Sequence, residues 1–257
     1  MNNRFGFALK VASIHLLCSL VIAVFLYILV FEVWFPSPLD SLVGGVSLFL
    51  IILSVDLVCG PMLTGLLSNP RKQRKEQIFD WGCVSVIQIL ALVYGLFSIA
   101  SARPIAVVFE VDRFVVVPFA SVPSEFLNKT EGQYKELPWT GPKWVGVRDP
   151  INSDERVNSI ELSMQGVEPS FRPNWWQDLR KNRQDIQNRA KPLADTFQDL
   201  DGDSRKLVMT AVGKTKKSIH ELKYLPLVSA KYMDSWVVLL SEDADVVGFA
   251  PISGFRE

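Results

Sequence analysis

The sequence predicts a membrane α-helical protein with three transmembrane helices (domain 1–103), followed by a C-terminal α+β domain (104–257) on a mostly antiparallel sheet. Three observations predict it. Only six of the 27 Lys and Arg and five of the 27 Asp and Glu lie in the first hundred residues, so the two parts of the chain face different solvents. Those hundred residues hold three apolar runs long enough to cross a bilayer. After Arg103-Pro104 the pattern changes to dense β-branched and aromatic residues, as strands require.

The first span covers about 11–35, and up to Phe31 only Ser13, His15 and Ser19 interrupt its apolar residues. It ends on the bulky run Phe31-Glu32-Val33-Trp34-Phe35-Pro36, where a cleavable leader would carry small residues, so it reads as a retained anchor. The second span, about 44–67, carries one carboxylate, Asp56. The third, about 78–100, is uncharged from Trp81 onward. Trp34, Phe35 and Trp81 sit near span ends, where amphipathic rings favour the interface. Cys18, Cys59 and Cys83 all fall in this half and read as small apolar packing residues.

Orientation follows from the loops. Arg4 and Lys10 precede the first span, and Arg71-Lys72-Gln73-Arg74-Lys75 separates the second from the third, whereas the loop after the first span has no Lys or Arg. By the positive-inside rule the N-terminus is cytoplasmic, and three crossings carry the C-terminal domain to the periplasmic side of a bacterial inner membrane.

An ionisable residue at membrane depth is costly and faces other helices. Asp56 lies near the middle of its span, and Gln88 of the third span matches its depth; His15 lies nearer the cytoplasmic surface. Gly60-Pro61, one turn after Asp56, loosens the backbone ladder and lets a neighbouring helix come close. Two readings of Asp56 stand: a protonated group cementing the protein's own bundle, or a partner-binding group that receives a polar side chain from another transmembrane helix. Proton relay is disfavoured, because no internal repeat or second broken helix appears.

In the outer domain, 105–117 reads as a strand bent near Asp112-Arg113, 153–165 as a helix capped by Ser153, and 174–197 as a long charged helix strained by Pro192. A helix opens at Asp201 and runs to about 217. Strands follow at 225–231, 235–240 and 246–251, the last two forming a hairpin. Arg103, Asp112, Arg113, Trp175 and Trp176 are candidate contacts, with the two tryptophans readable as core or as a docking surface. The domain has no cysteine and one histidine, His220; no paired His/Cys spacing, nucleophile elbow or Gly-rich phosphate loop is present. Its near-neutral charge has no basic stripe for nucleic acid. The residues therefore point to no enzyme, metal, cofactor or small-molecule substrate.

A family resemblance runs along nearly the whole chain. It is carried by His15-Leu16-Leu17, Trp34-Phe35-Pro36-Ser37-Pro38-Leu39, Gly44-Gly45, Val55-Asp56, Gly60-Pro61-Met62-Leu63-Thr64 and Asn69-Pro70. Gln88, Tyr94-Gly95, Ala102-Arg103-Pro104 and Asp112-Arg113-Phe114 continue it, followed by Arg172-Pro173, Tyr224-Leu225-Pro226-Leu227-Val228 and Gly248-Phe249-Ala250-Pro251. In their order and spacing these stretches resemble the type IV pilin accessory proteins, inner-membrane proteins of Gram-negative bacteria. The resemblance implies a factor that helps its pilin assemble into pili, and so supports twitching motility and DNA uptake. With the depth of Asp56, the topology and the lack of catalytic groups, the expectation is a non-enzymatic factor that binds or stabilises a major or minor pilin before assembly, alongside other pilus assembly proteins and membrane lipid. A membrane-anchored sensor or modulator of pilus biogenesis, or a pilin-modifying membrane enzyme, are the alternatives.

Overall fold

The computed structural model describes residues 2–255, which divide into two compact units, Met1–Arg103 and Pro104–Glu257. In the first unit three helices are long and apolar enough to cross a membrane: Arg4–Trp34, Gly45–Leu67 and Arg74–Ala102, here α1, α2 and α3. Most of their large apolar side chains are exposed, as in helices whose outer solvent is hydrocarbon. The first helix runs on as a π-helix, Ile28–Trp34, and stops before Pro36 and Pro38. The third begins four residues before the expected 78, because Arg74-Lys75-Glu76-Gln77 are good helix formers.

Between lipid-facing helices the hydrophobic effect supplies no attraction, so association depends on close packing. Small residues provide it. A Cβ on Gly65 of α2 would stand 3.2 Å from the Ala12 methyl of α1, and one on Gly95 of α3 would come within 2.6 Å of Ile52 on α2. At one end Val30, Trp34, Phe35, Phe49 and Ile99 form a buried cluster. Beyond α2, Trp81 Nε1 donates to Ser68 Oγ at 3.0 Å and Lys72 pairs with Asp80 at 2.6 Å, fixing the basic loop.

The second unit carries one eight-stranded sheet: β1 (Pro104–Glu110), β2 (Arg113–Pro118), β3 (Lys143–Val147), β4 (Trp176–Asp178), β5 (Lys191–Pro192), β6 (Lys223–Val228), β7 (Trp236–Leu240) and β8 (Val246–Ala250). The order is β4-β3-β1-β2-β6-β7-β8, with β5 on β6. The sheet is mixed, which corrects the mostly antiparallel expectation: β1 pairs β3 and β2 pairs β6 in parallel. Parallel pairing needs long crossovers, and the chain has them, residues 119–142 before β3 and the helices between β3 and β6. The sheet also curls, so that Trp144 of β3 meets Phe249 of β8 at 6.0 Å between ring centroids.

Three other expectations change. The single bent strand at 105–117 is a hairpin, because Val111 takes a left-handed φ of 60° and Asp112 N–H donates to the Glu110 carbonyl across a three-residue turn. The helix α4 (Ser153–Met164) is capped one residue earlier, by Asn152, whose Oδ1 accepts Glu155 N–H at 2.8 Å. The long helix at 174–197 is broken into β4, α5 (Arg183–Arg189), β5 and α6 (Leu193–Gln198), with 3₁₀ turns Pro173–Trp175 and Leu179–Asn182. Trp175 closes a 3₁₀ turn and Trp176 opens β4, so the backbone changes between two buried rings, and Pro192 has no N–H for a helix interior.

The last helix, α7 (Gly202–Thr215), is capped by the Asp201 carboxylate, which accepts Asp203 and Ser204 N–H, and ends where Lys216 turns left-handed. It lays Val208 and Val212 on a core with Leu193, Leu222, Tyr224, Val237 and Leu239. A second core gathers Ile105, Ala106, Val108, Val117, Val145 and Trp176.

Candidate functional site

The polar centre of the first unit is built by a break in α2. Pro61 cannot donate to a carbonyl one turn back, and the helix takes wider π-turn geometry over Val55–Cys59, the segment that presents Asp56. Asp56 is the twelfth of the 23 residues in α2, and Gln88 the fifteenth of the 29 in α3, so both stand at mid-helix. The Gln88 Nε2 donates to Asp56 Oδ1 at 3.0 Å and to the Asp56 carbonyl at 3.3 Å. A Cβ on Gly60 would overlap the Gln88 carboxamide, so glycine here makes the room in which that side chain lies. Asp56, Gln88, Gly60 and Pro61 are thus one assembly.

His15 stands apart from this pair. Its Nδ1 is 2.7 Å from the Thr64 hydroxyl, so its direct partner is one further turn along α2. As a site residue Thr64 went unnoticed in the sequence; its position one helical turn from Gly60 was the available signal. The pair opens into a groove of about 420 Å³ between α2 and α3, walled by Ile51, Ile52, Val55, Ala91, Leu92 and Gly95.

In the second unit the candidate contacts separate. Arg113 Nε pairs with Asp112 at 2.8 Å on the surface, beside the β1–β2 turn, and its guanidinium lies 4.8 Å over the Phe255 ring. Trp175 and Trp176 are each only 5% exposed, which places them in the core and not on a docking surface. The Trp176 Nε1 donates to the Ser170 carbonyl at 2.8 Å. The Trp175 ring lies between two guanidiniums, Arg148 at 4.6 Å and Arg172 at 4.7 Å. Arg103, also named as a contact, is buried, and its Nη1 donates to the Ala100 carbonyl at the end of α3.

Arg172, noted in the sequence for the family resemblance and not as a contact, is 1% exposed and donates to Ser159 Oγ at 2.8 Å. Burial lowers its pKa from the ordinary arginine value. Arg148 forms a two-pronged pair with Glu155 at 2.6 and 2.9 Å, and these hydrogen bonds hold the Glu155 carboxyl down to about 2. Glu110, at the end of β1, is pushed above the usual carboxylate range by burial. A cavity of about 390 Å³ is lined by Glu110, Arg148, Arg156, Trp175, Asp185 and Arg189, a nearly balanced set of charges. His220 is exposed on a 3₁₀ turn, and no group of three or more His, Cys, Asp or Glu among the described residues is placed to hold a metal ion.

Comparison with known proteins agrees with the resemblance drawn from the residues. The family described as fimbrial assembly protein FimB matches residues 3–44. Two fimbrial assembly proteins of Dichelobacter nodosus, from serogroups I and E1, are each 36% identical over 255 residues, covering 99% of this chain and 99% of each relative. A third, from serogroups C1 and C2 of the same organism, is 48% identical over 116 residues, covering 45% of this chain and 88% of its own. No solved structure gives a significant match. With similarity that runs from end to end of proteins of the same length, the chain belongs to the fimbrial assembly protein (FimB) family.

Proposed function

We propose that this protein is a non-enzymatic accessory factor of the bacterial inner membrane that promotes type IV pilus assembly by binding and stabilising pilin before incorporation. The end-to-end relationship to fimbrial assembly proteins carries the reading. The loop charges supply the geography: a cytoplasmic N-terminus, a cytoplasmic basic loop at Arg71-Lys72-Gln73-Arg74-Lys75, and a periplasmic C-terminal domain. A pilin awaiting assembly is held by one apolar helix and carries its globular part on the periplasmic side, so a three-span partner with a domain on that side can engage both. Confinement to one membrane raises the effective concentration, and modest contacts then suffice.

Several features favour binding over catalysis. The C-terminal domain contains no thiol, and its one histidine is exposed on a turn. At the charged cavity Arg148 is already paired with Glu155 and Glu110 already accepts from Ser170 N–H, as expected of a structural network. Deleting the gene in its native strain tests the reading. Surface fimbriae and total pilin should fall and return on complementation, with pilin mass unchanged throughout. Unaltered fimbriation and pilin levels in the deletion strain would sink the proposal.

A further inference from the structure

We propose that the groove between α2 and α3 receives one transmembrane helix of the partner, and that this helix sets a cationic nitrogen against Asp56 and Gln88. The inference rests on the reading that the protein binds a membrane-anchored partner, and it names the chemistry of that contact. At this depth the occupant has to satisfy its own backbone, which a helix does. A lipid chain would fit the apolar walls, but it has no donor to offer the oxygens on the groove floor.

The donor and acceptor count decides which side chain belongs there. An ionised carboxylate has roughly four lone-pair sites and a carboxamide oxygen two more. Gln88 spends its NH2 group on Asp56, at 3.0 and 3.3 Å. What remains on the floor is acceptors. Of the other polar side chains in the wall, Ser98 donates to the Tyr94 carbonyl at 3.0 Å and Tyr94 is exposed, while His15 Nδ1 is engaged by Thr64. The complement is a donor with positive charge: a lysine or arginine head, or an amine. Because Asp56 and Gln88 lie at mid-helix, the nitrogen belongs near the middle of the partner's span. Ala91, small and exposed in the wall, allows a second backbone to approach closely enough to deliver it.

The test uses the full-length protein, donor-labelled in liposomes, and three acceptor-labelled synthetic Leu/Ala helices of about 20 residues carrying Lys, Leu or Glu at the centre. Energy transfer should report the Lys helix binding at least about tenfold more tightly than the Leu helix, with the Glu helix weakest. Asp56→Asn keeps the shape and should abolish the preference for Lys. Gln88→Glu adds a carboxylate and should preserve or strengthen it. Ala91→Phe fills the groove from an exposed wall position and should weaken Lys and Leu helices alike. Equal binding of Lys and Leu helices, or an Asp56→Asn protein that still prefers Lys, overturns the inference. Pilin co-purification separates the two levels. If the Lys helix binds selectively but pilin does not co-purify, the accessory role falls and the groove chemistry stands. Should pilin co-purify equally with wild type and Asp56→Asn while the peptides are not distinguished, the cationic contact falls and the accessory role survives.

Discussion

Replacing Asp56 and Gln88 together by leucine separates a cement role from a docking role. In the wild type the pair is joined by two hydrogen bonds, at 3.0 and 3.3 Å. Between transmembrane helices such bonds average about 0.6 kcal/mol and reach about 1.7 kcal/mol. Removing Gln88 alone leaves the Asp56 carboxyl short of its donor, so Gln88→Leu should cost about 1–3 kcal/mol. Removing both partners deletes the desolvation cost along with the bond, and the double variant should lie within about 1 kcal/mol of wild type. The measurement is reversible unfolding of the purified full-length protein in bicelles, for wild type, both single variants and the double. In parallel, surface fimbriae are counted in a deletion strain complemented to equal protein levels. Cement predicts a double variant destabilised by several kcal/mol with fimbriation falling only as protein is lost. Docking predicts a stable, abundant double variant without fimbriae. A double variant more than about 3 kcal/mol less stable, or one that fimbriates normally, would refute the reasoning.

The remaining predictions concern orientation and the C-terminal unit. With the native cysteines replaced by serine, Met233→Cys, at an exposed position, should react with a membrane-impermeant maleimide once the outer membrane is permeabilised, whereas Lys75→Cys should react only after the inner membrane is opened. Glu155 is held at about 2 in the folded protein against an ordinary 4.5, so the stability it contributes is present above about pH 4.5 and lost as pH falls toward 2; Glu155→Gln should flatten the acid limb of a thermal-stability profile read by tryptophan fluorescence. Glu110 is shifted the other way, so its contribution is full below 4.5 and declines as pH rises through its raised value. Glu110→Gln should therefore raise the melting temperature at pH 7.5, with little change at pH 4. A Cβ on Gly146 would run into Asn182, which donates to the Val147 carbonyl at 3.1 Å and accepts from Gln177 at 3.0 Å. Gly146→Ala should cost about 1–3 kcal/mol, seen as a lower melting temperature.

The parts of the fold visible in the sequence are those fixed by local rules. Three apolar runs become three helices because length and solvent leave no alternative in hydrocarbon. The strands near 225, 235 and 246 show through β-branched density and a short hairpin loop. What stayed hidden depends on distant partners. β3 is a five-residue strand, Lys-Trp-Val-Gly-Val, between turn-rich segments, and only its parallel pairing with β1 makes it a strand. The helical reading of 174–197 followed its charged composition; two adjacent buried tryptophans and Pro192 overrode that propensity. Trp175 and Trp176 were readable either way because a sequence does not say which surface a ring will face. The same holds for Arg172, whose buried position follows from Trp175 and Ser159 and from no feature of its own neighbours in the chain.

The membrane site was more legible, and for a physical reason. A carboxylate in an apolar span narrows its own choice of partner, since matched depth and hydrogen-bonding ability leave few candidates; Gln88 met both conditions. The local backbone was half visible. Gly60-Pro61 announces a loosened ladder, but the π-turn over Val55–Cys59 is what presents Asp56, and a single unmade hydrogen bond at a proline does not say in which direction the ladder will relax. Glycine at 60 then does two jobs that one residue rarely combines. It tolerates the break, and it vacates the volume where the Gln88 carboxamide reaches across. Gly60→Ala separates these jobs, because alanine is the better helix former but its methyl displaces Gln88 from Asp56. If the groove chemistry is what matters, this one methyl should reduce fimbriation as strongly as Gln88→Leu, at a protein level close to wild type. If α2 only needs to cross the membrane, Gly60→Ala should fimbriate normally.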